Sequence, residues 1–240
     1  MEEISKEMRA MSLPGMARTW LNLCEAHRTE SLTLADGIRI LLQGEKDSRR
    51  SNRTERMIRG ARFRYTVAFA QLKGDAARGL EQSKLDEIAA CNFVKNGTPI
   101  IVTGPTGSGK SYLASGIGSH VCCCGYSVRY FNVMKLFDEI TMSRIESKVP
   151  KFFEKVAKTD LVILDDFGIR KLNAEQVLDL MSILEDRHGM KSTMIVSQLP
   201  VSEWYDCLKA NTTAADAILD RIIHNAIRFE LKGESMRKIN

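Results

Sequence analysis

Apolar positions recur at helical spacing in the first part of the chain and gather into short continuous runs after it. Ile4, Met8 and Met11 fall on one helical stripe, Pro14-Gly15 interrupts it, and Met16, Trp20, Leu21 and Cys24 form a second. A third helix is expected from about Thr33-Leu34-Ala35-Asp36, with Ile38, Leu41 and Leu42 on its apolar face, leading into an arginine-rich stretch. Helices this short bury little alone. They are expected to pack as a small all-helical N-terminal domain over residues 1–65.

From about Thr66 the pattern changes. Asn96-Gly97-Thr98-Pro99 is a turn signal, and the β-branched run Ile100-Ile101-Val102-Thr103 follows it. Val128–Phe131, Leu161–Leu164, Thr193–Ser197 and Arg228–Leu231 are further strand candidates. Between them lie helical patterns, one carrying Phe152, Phe153 and Val156 and another around Asn173–His188. Such alternation predicts an α/β domain over residues 66–240, a parallel sheet with helices on both faces. Strands buried on two sides read as unbroken apolar runs, as Ile100–Val102 and Leu161–Leu164 do.

An apolar fraction of 44% and a charged fraction of 27% suit an ordinary globular protein. No run of about 18 apolar residues predicts a membrane span, and Met1-Glu-Glu-Ile-Ser-Lys-Glu lacks the apolar stretch of a secretory signal, so a cytoplasmic location is expected. Six cysteines, Cys24, Cys91, Cys122, Cys123, Cys124 and Cys207, form no CxxC pair. The triplet at the end of an apolar helix reads as small core filler, with a redox or metal patch as the alternative. His27, His120, His188 and His224 show no metal-site spacing such as HExxH.

Charge alters this picture locally. Between Glu45 and Arg64 lie Lys46, Arg49, Arg50, Arg53, Arg56, Arg59, Arg62 and Arg64, opposed only by Glu45, Asp47 and Glu55. The chain's whole net charge of +5 resides there. Arg49, Arg53 and Arg56 share a helical stripe, the footprint of a phosphate-backbone contact, and Arg50 and Arg59 extend it. A solvated helix face is the other reading.

Gly104-Pro-Thr-Gly-Ser-Gly-Lys-Ser111 matches G-x-x-x-x-G-K-[ST] completely, after a predicted strand and before an apolar helix over Tyr112–Val121. Its glycines allow a tight turn in which successive N–H groups face phosphate oxygens. The residues expected to contact the nucleotide are Gly104, Pro105, Thr106, Gly107, Ser108, Gly109, Lys110, Ser111 and Tyr112. Lys110 would neutralise the β- and γ-phosphates of ATP, the Ser111 hydroxyl would ligate Mg²⁺, and the helix start would aim its positive end at the same phosphates.

A second element is Leu161-Val-Ile-Leu-Asp165-Asp166. Two acids ending an apolar strand downstream of a P-loop suit metal-assisted hydrolysis, with Asp165 on the metal and Asp166 polarising the attacking water. Ser197 and Gln198 end the next strand. Gln198, whose amide both donates and accepts, is the preferred candidate for orienting that water; Ser197 is the second choice, and a loop residue without a role is the other reading.

With these blocks in view, the P-loop, Leu164-Asp-Asp-Phe-Gly168, Ser197-Gln-Leu-Pro200, Ile218-Leu-Asp-Arg-Ile222 and Leu231-Lys-Gly-Glu-Ser-Met-Arg237 resemble IstB-type transposition helper ATPases. These are AAA+ proteins, related to the DnaC helicase loaders. The resemblance covers almost the whole chain. It implies an AAA+ core with a five-stranded parallel sheet, little or no C-terminal lid, and nucleotide bound between subunits. Arg221 aligns with the arginine finger that a neighbouring copy supplies, worth roughly 4–7 kcal/mol in such enzymes; from the pattern alone it would be a surface residue of an amphipathic helix. Arg237 would match the second sensor arginine. Many AAA+ enzymes carry Glu where Asp166 stands and Asn where Gln198 stands, which implies slow turnover.

The expected function is an ATP-dependent helper that assembles as a homo-oligomer on double-stranded DNA, recruits or regulates a transposase, and disassembles on hydrolysis. A DnaC-like replicative helicase loader, preferring single strands, is the alternative. A small-molecule kinase would need an acceptor pocket and an arginine-bearing lid insertion that the sequence does not offer.

Overall fold

The computed structural model describes residues 2–233, and Arg237 lies outside them. The chain packs as two units, Met1–Arg56 and Met57–Asn240.

The first unit is helical, as expected: α1 (Glu2–Ala10), α2 (Pro14–Glu25) and the greater part of α3 (Leu34–Ala61). Pro14 opens α2, where a missing N–H costs nothing. The next amides, Gly15 and Met16, donate to the buried Glu45 carboxylate of α3 at 2.7 and 3.1 Å. Contact between the two helices runs through small residues. A Cβ on Gly15 would lie 2.6 Å from the Gly44 carbonyl oxygen, and one on Gly44 would lie 2.0 Å from Thr19 Oγ1. The apolar stripes therefore differ from expectation. Close backbone approach buries Ala17, Leu23, Cys24 and Leu41, whereas Met16, Trp20 and Leu21 are half-buried and Ile38 and Leu42 remain exposed. The arginine-rich stretch continues α3 as helix.

The packing division falls inside α3, earlier than the boundary expected after residue 65, because Ala61 belongs to the second unit's core and Met57, Ile58 and Phe63 pack on it. After α4 (Gln82–Ala89) and the short α5 (Asn92–Lys95), that unit runs β1 (Ile100–Thr103), α6 (Lys110–Cys123), β2 (Val128–Asn132), α7 (Val133–Ile145), α8 (Val149–Ala157) and β3 (Leu161–Phe167). It finishes with α9 (Ala174–Glu185), β4 (Ser192–Ser197), α10 (Trp204–Leu208), α11 (Thr212–Ile223) and β5 (Ile227–Glu230). All strands are parallel, in the order β2-β3-β4-β1-β5.

Strand alternation divides the core in two. Ile100, Val102, Val128, Tyr130, Leu161, Ile163, Met194, Val196 and Phe229 face one side, with Leu113, Ile117 and Val121 of α6. Ile101, Phe131, Val162, Leu164 and Ile195 face the other, with helices α7, α9 and α11. Asp165 shares the parity of Ile163 and so lies on the α6 side. Arg187 is among the charges buried in this framework, donating to Thr193 Oγ1 (3.0 Å) and to the carbonyls of Val156, Thr159 and Ser192. Burial holds its pKa down to about 10, which leaves it a cation at neutral pH. Among the described residues no helix is long and apolar enough to cross a membrane.

Glu45 gives the helical unit a pH signature. Arg49 Nε, at 2.7 Å, and the two α2 amides hold its carboxyl below the ordinary range, against the opposing pull of burial. A carboxylate whose folded pKa is depressed stabilises fully above its unfolded pKa, about 4.3, and loses that contribution as pH falls through the folded value. Urea unfolding should therefore show a stability gap between the wild type and Glu45→Gln that is constant near neutrality and shrinks below about pH 4. A gap unchanged down to pH 3 would contradict the arrangement.

Candidate functional site

The turn between β1 and α6 takes the shape that its glycines permit. Gly104, Gly107 and Gly109 have φ of +147°, +83° and +94°, a region that other residues enter only under strain. A Cβ on Gly104 would meet the Leu231 carbonyl oxygen at 2.4 Å and Ser108 Oγ at 3.0 Å. Gly109 is the N-cap of α6, whose first residue is the buried Lys110. Lys110 Nζ donates to the Pro105 carbonyl at 2.8 Å, folding back across the loop. Arg78 braces the loop from outside, its Nη2 donating to the Ser108 carbonyl at 3.0 Å.

The acids stand on β3, one strand apart from the loop, with β4 between them and β1. They lie at the C-terminal end of the strand, as expected, within a register shift between Leu164 and Phe167. Asp165 is buried. Asp166 adopts φ +62°, a conformation uncommon outside glycine, and its N–H donates to Asp165 Oδ1 at 2.8 Å. The bulge thus turns the two carboxylates to separate partners. The Tyr130 hydroxyl donates to Asp165 Oδ2, and Asn132 Nδ2 donates to Asp166 Oδ2 at 2.7 Å. Ser111, in the first turn of the P-loop helix, acts on the phenol against its upward pKa shift, so Tyr130 stands between that helix and the acid strand. Burial raises the phenol pKa strongly, with the Asp165 carboxylate adding to it, which keeps Tyr130 a donor.

A cation faces the pair. Arg64 Nη1 lies 3.5 Å from Asp165 Oδ2 and 3.2 Å from Asp166 Oδ2. Partial burial works to lower the guanidinium's pKa, but the two carboxylates outweigh it and the net displacement is upward.

The remaining expected residues divide by position. Gln198, just past β4, accepts from Thr106 Oγ1 at 2.7 Å and so joins the P-loop to the strand beside it. Ser197 is buried, donating to the Phe167 carbonyl at 2.7 Å and accepting from the Leu199 amide, and faces no open space. Tyr112 is half out in solvent, its ring 6.2 Å from Tyr65. Arg221, on α11, is not brought to the chain's own P-loop. It pairs with Glu185 of α9 and lines a small cleft with Pro99, Lys191 and Thr193, at the end of the sheet where strands begin. Arg49, Arg50, Arg53 and Arg56 are exposed on the first unit, and Arg59 is exposed on the second. Arg49 is engaged with Glu45.

Four contributors escaped the sequence reading. Tyr130 and Asn132 alternate on β2 next to the acids, a relation visible only once strand order is known. Arg64 looked like one more charge in a basic run, and Arg78 follows no motif.

The site fits a triphosphate with its metal. Among the described residues, Ser108 Oγ is one of two buried side-chain polar atoms without a hydrogen-bond partner, and it belongs to the loop. The other is Arg221 Nε. The Gly104 cradle is one that a Cβ would fill, and Ser111 and Asp165 offer oxygen donors suited to a hard cation.

This strand order, with a glycine cradle after β1 and paired acids on β3, defines a P-loop protein of the AAA+ class. The chain belongs to the IstB-like ATP binding protein family, whose profile matches residues 6–240. It is 34% identical over 232 residues to a Sinorhizobium fredii protein named for an insertion sequence and ATP binding, covering 97% of this chain and 94% of that one. A Pseudomonas fluorescens protein of similar name, from insertion sequence IS1162, is 29% identical over 82% of this chain and 85% of its own. Among solved structures, the DnaC helicase loader has a TM-score of 0.55 at 20% identity, covering 69% of this chain and 96% of that one. DnaI has 0.58 at 20%, over 76% and 93%. Both likenesses speak for the fold.

Tyr130→Phe should leave the buried Asp165 carboxylate short of one donor and cost about 1–3 kcal/mol of stability in urea unfolding. An unchanged midpoint would mean that the phenol does not bind the carboxylate.

Proposed function

We propose that the protein is an ATP-dependent transposition helper that binds duplex DNA as a homo-oligomer and acts with a transposase. The observation that carries the nucleotide half is the glycine cradle with its unpartnered Ser108 hydroxyl, with Tyr130 hydrogen-bonded to the acid strand and Thr106 to Gln198. The transposase half rests on family membership and on relatives named for insertion sequences.

In this reading backbone N–H groups between Thr106 and Ser111 receive the phosphates of ATP, and Lys110 exchanges the Pro105 carbonyl for phosphate oxygens. Ser111 and Asp165 would hold Mg²⁺, which would supply positive charge against the charge that develops on the terminal phosphate during transfer. Arg64 balances the charge of the two carboxylates. Asp166 accepts a hydrogen bond from the attacking water, and Gln198, held beside the loop by Thr106, orients it. The shorter reach of aspartate at 166 fits slow turnover, a switch rather than a motor. Arg221 serves the site of an adjacent copy, which agrees with its distance from its own loop. Arg50, Arg53 and Arg56 contact DNA phosphates without reading bases.

ATP binding, by equilibrium titration, should weaken about ten- to a hundredfold in Lys110→Ala, the loss of a charge-assisted hydrogen bond. Replacing Arg50, Arg53 and Arg56 with alanine should weaken duplex binding for every sequence and lower the salt slope by about 0.9 for each arginine–phosphate pair removed. Arg49 is left in place because it supports Glu45. Unchanged affinity in the triple variant would remove this surface from the proposal, and stimulation of hydrolysis by single strands in preference to duplex would favour a helicase loader.

A further inference from the structure

Three ligand-bearing side chains converge at the far end of α6, away from the phosphate cradle. His120 lies on its last turn, Cys124 is its C-cap residue, and Cys91 stands at the junction of α4 and α5. The two sulfurs and a ring nitrogen of His120 all lie within 4.8 Å of one another. Among the described residues this is the one group of three or more His, Cys, Asp or Glu side chains so placed. Cys91 is buried and Cys124 is exposed, so the cluster is walled on one side and open to solvent on the other. His120 Nε2 is 3.6 Å from Cys124 Sγ and 2.9 Å from the Ala89 carbonyl oxygen. Phe69 stacks on the imidazole at 4.3 Å, with 27° between the planes, and fixes the ring's tilt.

The adjacent cysteines do not share this arrangement. Cys122 is fully buried in the core, as filler should be, and Cys123 is exposed outside the cluster. Cys91 reaches its position from a backbone φ of +54°, where glycine or asparagine is the ordinary choice and a cysteine is strained. Two thiols and an imidazole are soft to borderline donors that select zinc over magnesium or calcium.

We propose that Cys91, His120 and Cys124 form a zinc site, with water as the fourth ligand on the exposed side. Three protein ligands with one open position is an arrangement that zinc adopts readily. Binding displaces one proton from each thiol to solvent. The His120 Nε2 proton leaves its bond to the Ala89 carbonyl and the ring reprotonates at Nδ1, so the imidazole stays neutral. The site joins the segment that leads into β1 to the end of the helix that follows the P-loop. An ion there ties together the two ends of the strand–turn–helix unit that carries the phosphate cradle. Its formation does not depend on nucleotide binding.

The full chain, reduced and stripped of metal, is titrated with Co²⁺ and then with Zn²⁺ against a chromophoric chelator. The expected result is one Co²⁺ per chain, with sulfur-to-cobalt charge-transfer absorption and the intense visible bands of a tetrahedral site, displaced by Zn²⁺. Cys124→Ser, an exposed change that should leave folding intact, and His120→Asn should each weaken Zn²⁺ by about tenfold or more, while Cys123→Ser should not. Zn²⁺ should raise the thermal midpoint of the wild type and of Cys123→Ser, and not that of Cys124→Ser. Absence of the charge-transfer band overturns the proposal. So does equal weakening by Cys123→Ser, which would mean non-specific capture by surface thiols, or formation of a Cys91–Cys124 disulfide in the presence of Zn²⁺.

Discussion

A turn built on three left-handed glycines, with no room for a side chain at its first position, is the constraint on which the rest of the structure depends. Gly104 holds the loop against the Leu231 carbonyl, and the Leu231 amide in turn donates to the Thr103 carbonyl at 2.8 Å. The last strand and the loop are thus fixed by the same few atoms. The parallel sheet does the remaining positioning. Placing β4 between β1 and β3 sets the P-loop and the acids one strand apart, and puts the residue that follows β4 between them.

Electrostatics completes the geometry. A buried aspartate and its half-buried neighbour place two negative charges in a region of few donors, and the fold answers with a phenol, an amide and one guanidinium. Arg64 therefore occupies the electrostatic role that a divalent cation takes in the proposed nucleotide-bound form. It lies three residues beyond α3, and α3 carries the basic run. The segment that bears the chain's excess charge thus runs directly into the group that balances the proposed catalytic acids.

Much of this was legible in the sequence. Ile100–Thr103 and Leu161–Leu164 are continuous apolar runs because both faces of their strands are covered, and such runs resist other readings. The cradle was legible because its chemistry demands glycines at fixed positions. The acids and their place at the end of β3 were found, but not the register shift that holds them, since a bulge leaves no mark on residue type. Arg64 was hidden because a guanidinium facing two carboxylates and one facing water look alike in a basic run. The cysteine triplet was half read: helical period buries Cys122, but the helix ends beneath Cys124 and turns it toward Cys91, more than thirty residues earlier in the chain. The N-terminal stripes were read in part: Cys24 and Leu41 are buried as expected, and the others are not, for another reason. Glycine and alanine brought α2 and α3 together more closely than large apolar residues allow, and the bulky side chains were left at the margin.

The central claim is that a triphosphate in this cradle is hydrolysed only when an adjoining copy contributes Arg221. Mixing two inactive proteins tests it most directly. Asp166→Asn disables the water-positioning acid and keeps the finger; Arg221→Ala keeps the acid and removes the finger. In equal mixture on duplex DNA, some interfaces pair an intact Asp166 with an intact Arg221, and ATPase activity should return to a substantial fraction of the wild-type rate. A mixture no more active than either variant alone would contradict the account.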